Sequence, residues 1–404
     1  MAAKENNEPK IEQILLDLLA NALFNAGRKI ECSAVKWPLV WREAYVQAVS
    51  LIAFSGKTPE NCDDECVALI RKSLKDDLRS IIHVNKEHIR LHNIMSEAGI
   101  PYVILKGAAS AAYYPDPLMR AMGDVDFLVD ICDVERACKA LEEKGFKRNP
   151  KEHEKHIVYF DENGNYEMHI TPAGVPKGEK GDKVRVLLKN LIEKSCKYET
   201  DFGSIQVPSK FHHGLVLLLH TCCHLTSEGI GLRQLCDWAV FVSSFSDDEF
   251  CQVFEAELKS VGLWRFAQVL TKTSVNYLGC KSFSWAEEID DEVAEEFIKG
   301  VFKNGNLGQK NPTSMQESLF SAEIGDKKSV IKHFFSSVNE IVYFYWGFTK
   351  KLKILLPLGW LYFGGRYIIR SLMGKRAKIS VKNIKSGVST RNDIYEEIKL
   401  FQEE

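Results

Sequence analysis

Asp124 and Asp126 head an apolar run, Gly123-Asp124-Val125-Asp126-Phe127-Leu128-Val129, whose composition predicts a β-strand. Residues two apart on a strand face the same way, so the two carboxylates sit side by side, roughly 6–7 Å apart along the chain. Like charges that close are unfavourable without a cation between them. Oxygen-rich pairs suit Mg²⁺, which takes one or two protein carboxylates and fills its remaining positions with water and phosphate. The chemistry indicated is therefore transfer at phosphorus. Upstream, the apolar strand Tyr102–Leu105 stops at Lys106-Gly107, followed by a small-residue turn of helix, Ala108–Tyr113, and a Pro-rich loop. Lys106 is placed to reach a phosphate as a compact charge, against the plainer reading as a surface lysine. Gly107 would let backbone approach a triphosphate. Arg120 is either a bidentate phosphate clamp or an exposed loop arginine.

Further along, Glu167 and His169 share one face of a second short strand, Tyr166–Ile170. Glu167 would complete the carboxylate set if the two strands are neighbours; otherwise it is an exposed strand residue. His169 would orient that carboxylate, bind phosphate or be a core histidine. The pairs His220/His224 and His88/His92 have the four-residue spacing of a zinc helix. His220-Thr221-Cys222-Cys223-His224 lacks the intervening Glu that such helices carry, and the cysteines lack paired zinc spacing, which disfavours zinc. Arg233 and Asp237 share a helical face, and an i,i+4 ion pair is their simplest account.

Leu105-Lys106-Gly107, Tyr114-Pro115, Arg120 and Gly123-Asp124-Val125-Asp126 together resemble a large bacterial nucleotidyltransferase family within the DNA polymerase β-like superfamily. Tyr166-Glu167-Met168-His169 fits that family's third carboxylate. His212-His213, His220, His224 and Leu232-Arg233-Gln234-Leu235-Cys236-Asp237 fit its His-rich helix and the helix after it. The resemblance spans roughly residues 80 to 260. It implies an NTP donor held by Lys106, Gly107, Ser110, Arg120 and Gly123. Asp124, Asp126 and Glu167 would be the catalytic ligands of two Mg²⁺ ions, and His169, His220, His224, Arg233 and Asp237 would support them or line the acceptor side. The superfamily's usual Gly-Ser is Gly107-Ala108 here, with Ser110 as the substitute hydroxyl.

The elements that must position these residues read as an α+β protein, a mixed β-sheet core flanked by helical regions. Residues 1–98 read as an N-terminal helical region with a long periodic run from Asp76 to Ala98. Residues 99–207 read as the α/β core, with strands at Tyr102–Leu105, Val125–Val129, Ile157–Phe160, Tyr166–Ile170 and Ser204–Val207. Cys132–Lys144 is the intervening helix, ended by Gly145. Asp161-Glu162-Asn163-Gly164-Asn165 carries the Asn-Gly signature of a tight hairpin turn. The order β-α-β-α-β-β predicts helices on one face of the sheet. Residues 208–345 read as a helical domain, its first helix N-capped by Ser209. Residues 346–404 form a basic, apolar helical segment.

Nothing global in the composition argues for nucleic acid: 53 Lys+Arg against 55 Asp+Glu give a formal net charge of −2. There is also no basic stripe interleaved with aromatics near the motif. The acceptor is left as a small molecule, a sugar or a protein side chain. Eleven unpatterned cysteines and a polar N-terminus predict a cytoplasmic protein with free thiols. From Lys350 to Ser386 there is no Asp or Glu, and Ile354–Gly365 is apolar but too short for a span of about 20 residues. Residues 350–386 read either as a core-packing helix with a solvated basic face or as a peripheral membrane contact. The leading function is Mg²⁺-dependent transfer of an NMP from an NTP to a hydroxyl-bearing acceptor. The alternative is a catalytically idle binding module of the same fold, membrane-peripheral in a surface-polymer pathway.

Overall fold

Strict alternation in two short segments builds the centre of the molecule. In β2 (Val125–Val129), Val125, Phe127 and Val129 enter one core while Asp126 and Leu128 face the other way. In β5 (Asn165–His169), Tyr166 and Met168 enter that same core while Glu167 and His169 face away. The chain is described by a computed structural model covering residues 11–30, 35–55, 62–150, 156–314, 317–318, 330–373 and 381–402. It forms a five-stranded mixed sheet in the order β1-β2-β5-β4-β3, with β1 at Tyr102–Ile104, β3 at Lys147–Arg148 and β4 at His156–Phe160. β2 and β5 are parallel, and every other pairing in the sheet is antiparallel.

The helices before and within the sheet region are α1 (Ile11–Phe24), α2 (Trp37–Val46), α3 (Ser50–Phe54), α4 (Asp64–Glu97), α5 (Ala108–Ala111), α6 (Val134–Glu143) and α7 (Gly178–Leu187). α4 is N-capped by the Asp63 carboxylate, which accepts from Cys66 N at 2.7 Å. It runs for 34 residues and, with α6, covers the sheet face that carries Phe127 and Met168. Gly145 follows α6 at φ +89°, the left-handed stop expected of it. β6 (Cys196–Thr200), absent from the expected strands, pairs with β7 (Gly203–Val207) as a separate hairpin and not as a sixth strand of the sheet.

The remaining described helices are α8 (Lys210–Thr226), α9 (Leu232–Val242), α10 (Asp247–Phe250), α11 (Ala256–Ser260), α12 (Trp264–Leu278), α13 (Asp291–Asn304), α14 (Val330–Tyr345), α15 (Leu356–Leu372) and α16 (Val381–Ile398). Ser209 caps α8 as expected, accepting from His212 N. α1–α3 share one apolar core with α8–α13, and Ile398, Leu400 and Phe401 at the end of α16 close onto it.

Two expectations are corrected. Helices do not lie on one sheet face alone, because Val103, Leu105 and Leu128 on the opposite face pack against Val216 of α8 and against Leu191 in the turns after α7. The β4–β5 connection is not a left-handed Asn-Gly turn either, since neither Asn163 nor Gly164 has a positive φ. Asp161 Oδ1 holds it instead, accepting from Asn163 N at 2.8 Å and Gly164 N at 3.1 Å. Of the basic C-terminal residues, Lys375, Arg376 and Lys378 lie outside the described residues.

Candidate active site

Parallel register places Asp126 of β2 directly opposite Glu167 of β5, and Leu128 opposite His169. The three polar side chains share the sheet face turned toward α8, and their ligand atoms lie within 4.8 Å of one another. Asp126 is buried, with its Oδ2 2.9 Å from Lys106 Nζ and its Oδ1 accepting from His169 Nε2 at 3.0 Å. The same His169 nitrogen lies 3.6 Å from Glu167 Oε2. Burial alone would raise the Asp126 carboxyl, but Lys106 and His169 outweigh it and hold it well below the usual range. His169 is raised despite its burial because Asp126 and Glu167 both accept from it.

Asp124, one turn of the pleat before Asp126, is half-buried. Burial first and the Asp126 charge second push its carboxyl up to about 6. Lys106 and Arg233 only partly relieve it. The site thus gathers three carboxylates, Asp124, Asp126 and Glu167, around Lys106, Arg233 and a His169 whose protonated form they favour. Such a set fits a divalent cation of the Mg²⁺ type, bound through carboxylate oxygens. Gly123 is exposed at the head of this strand.

The turn after β1 is built from below. Gly107 has φ +61° and ψ −117°, and a Cβ placed there would meet His88 Nε2 at 2.9 Å. His88 is buried on α4, donates from Nδ1 to Val84 O at 2.8 Å, and has no partner for Nε2. Burial lowers it to about 4, so it stays neutral. Two pressures therefore demand glycine at 107, the backbone angle and the imidazole beneath it. The sequence offered only a ligand approaching from above. Ser110 does not present its hydroxyl to a ligand, since Oγ is sealed from solvent and without a partner.

Arg120 and Asp237 do not do what their sequence neighbours suggested. Arg120 is buried and donates from Nε to Asp237 Oδ1 at 2.8 Å and from Nη2 to Oδ2 at 2.7 Å. Tyr114 Oη donates to the same Oδ1 at 2.8 Å. This bidentate pair pins the loop before β2 onto α9, so Arg120 is no clamp awaiting a phosphate. It also displaces the expected Arg233–Asp237 pair. Arg233 is half-buried, with no ion pair among the described residues and no partner for Nε. Burial and the repulsion of Arg120 lower its pKa, against the pull of Asp237 and Asp124.

The His-rich helix divides its histidines among different tasks. His220 and His224 touch edge to face at 4.4 Å between centroids, and His224 pairs with Glu228 at 3.1 Å. His220 is close enough to Lys106 and Asp126 to feel both charges, and burial holds it neutral. His213 is buried, stacks on Tyr113 at 5.2 Å, and has no hydrogen-bond partner for either nitrogen. His88, His213 and Tyr114 had no assigned role from the sequence. Tyr114 lay within the resembling motif, but nothing local marks an imidazole as lying under a turn or a tyrosine as meeting Asp237.

No curated protein and no solved structure matches the chain. A family model described as an uncharacterised nucleotidyltransferase matches residues 33–279, more than half of the sequence, and that span includes every residue of the site. The carboxylates on β2 and β5, the turn at Gly107 and the helices α8 and α9 that face them all fall inside the match, and the chain belongs to this nucleotidyltransferase family.

Proposed function

We propose that the protein transfers a nucleoside monophosphate from an NTP to a hydroxyl-bearing acceptor at the face formed by β2, β5, α8 and α9. The observation that carries this is the crowding of Asp124, Asp126 and Glu167 beside an unpaired half-buried arginine. It offers carboxylate oxygens to a cation on one side and a guanidinium to an anion on the other. A metal-bound triphosphate supplies both. Asp124, Asp126 and Glu167 would hold Mg²⁺, which when bound neutralises triphosphate oxygens and makes an attacking hydroxyl more acidic.

The protein's own groups do the rest. Lys106 neutralises Asp126 across 2.9 Å and is within reach to turn to a phosphate oxygen. Arg233 takes the charge of the triphosphate and of the departing pyrophosphate. His169 fixes the orientation of both Asp126 and Glu167 through one nitrogen. The neutral His220 and the stacked His213–Tyr113 pair bound the side where an acceptor would lie.

Calorimetry with ATP, GTP, CTP and UTP, with and without Mg²⁺, tests the reading on wild type and on Asp124→Asn/Asp126→Asn. Mg²⁺-dependent binding of an NTP, weakened at least tenfold in the double variant, is expected. A folded wild type that binds no NTP under either condition would refute it.

A further inference from the structure

Helix α15 is apolar on both sides. Its inner face packs on α14: Gly359 lies against Val342, where a Cβ would come within 2.5 Å, and Trp360 donates from Nε1 to Asn339 at 2.8 Å. Its outer face carries Leu358, Leu361, Tyr362, Ile368, Ile369 and Leu372 at helical spacing, all exposed. The connection from α14 extends the same surface. Two 3₁₀ turns, Gly347–Lys350 and Lys353–Leu355, present Phe348 and Ile354 to solvent, and Leu352 between them is exposed as well. Ile354 is 86% exposed, Leu361 74% and Leu372 81%. Thirteen of the exposed large apolar side chains lie between Phe335 and Met373, against seven in all the other described residues. A surface so concentrated marks an interaction site, not ordinary scatter.

Charge decides what meets it. Lys350, Lys351, Lys353 and Arg366 are exposed around the apolar residues, Arg370 is half-buried, and the sequence from Lys350 to Ser386 holds no acidic residue. Trp346, Tyr362 and Phe348 cluster together, with Trp346 stacked on Phe348 at 5.8 Å and tilted against Tyr362 at 5.3 Å between centroids. Aliphatic side chains, interfacial aromatics and cations together match the acyl, headgroup and phosphate layers of an anionic membrane surface. A protein partner would need a matching apolar face without supplying any reason for the aromatic and cationic rim. No helix among the described residues is long and apolar enough to cross a membrane, and α15 carries two arginines.

We propose that the α14–α15 hairpin docks the protein on an anionic lipid bilayer, with the tip residues 346–355 and the outer face of α15 lying in the interface. The docking stands apart from the transferase reading, because the surface lies outside the family match and contains none of the site residues.

Sedimentation of the full chain with phosphatidylcholine vesicles, alone or with about one-third phosphatidylglycerol, tests it. Binding to the anionic vesicles is expected, weakening as salt rises from about 0.1 to 0.5 M. Ile354→Glu/Leu361→Glu/Leu372→Glu should weaken binding by at least about tenfold while melting like wild type, since all three residues are exposed. Lys351→Gln/Lys353→Gln/Arg366→Gln should weaken it similarly and flatten the salt dependence. A folded wild type that stays in the supernatant with anionic vesicles overturns the proposal, and so does binding unchanged in both variants. A dimer in sedimentation velocity that dissociates in the apolar variant, with no vesicle binding by wild type, would assign the face to a second copy instead.

Discussion

At the residue scale, two arginines depart from the partners their positions suggest. Arg120 precedes Asp124 by four residues, yet the Nε–Nη2 edge of its guanidinium is spent on Asp237 and Nη1 donates to Ala121 O. Arg233 sits one helical turn from Asp237, yet has no ion pair among the described residues. Arg120→Ala leaves the buried Asp237 carboxylate with only the Tyr114 hydroxyl to pair it, so a stability loss of about 3–5 kcal/mol is expected. Arg233→Ala removes a half-buried cation that lacks compensation, so the melting temperature should hold or rise while NTP affinity falls about tenfold or more. Denaturation and calorimetry on the two variants separate the roles, and equal loss of stability in both would contradict this assignment.

His213 belongs to the same scale. Its imidazole is lowered by burial to about 3, below the ordinary 6.5 that the unfolded chain restores. Asp237 pulls it upward and Arg120 pushes it down. Between those values the unfolded state binds the extra proton, so the stability is whole above 6.5 and is lost as pH falls toward 3. From pH 7 to pH 5 the loss from this one group is about 2 kcal/mol. Melting curves over that range should show His213→Gln with a visibly flatter acid limb than wild type. Parallel limbs would show that His213 does not set it.

At the scale of elements, the site depends on two alignments that lie far apart in sequence. Parallel pairing of β2 with β5 sets Asp126 against Glu167, and a slip of one residue would turn Glu167 and His169 into the core. Helix α4 supports the other alignment by placing His88 under the β1–α5 turn. Gly107→Ala should cost about 1–3 kcal/mol, because the backbone angle and the His88 contact both oppose a Cβ. His88→Ala in the same chain should recover the steric share and leave the backbone share. Thermal denaturation of the two single variants and the double variant measures this, and strictly additive losses would show that His88 is not the obstruction.

For the whole molecule, the cores explain how the site's elements are held together. α1–α3 and the start of α4 (Cys66, Ile70) join α8–α13 in one apolar mass, while the rest of α4 and α6 cover the sheet. The polar face of the sheet is thereby set against α8 and α9, which bring His220 and Arg233 within electrostatic reach of the carboxylates. The α14–α15 hairpin leaves its outer apolar face exposed, so one chain carries a polar site and, outside the family match, an exposed apolar face.

The sequence alone determined whatever depends on short spacing. Alternation in Val125–Val129 assigned Asp126 to one face and Phe127 to the other, and the Ser209 cap began α8 where expected. Only the tertiary structure decided the partners. Arg120 and Asp237 meet across 117 positions, and Tyr114 and Asp237 across 123. Periodicity states which way a side chain points from its own element and carries no term for what another element brings to meet it. The better-placed acceptor for a buried guanidinium wins over the nearer one in sequence. That is why the i,i+4 pair at Arg233 and the clamp at Arg120 both gave way to a contact no local pattern contains.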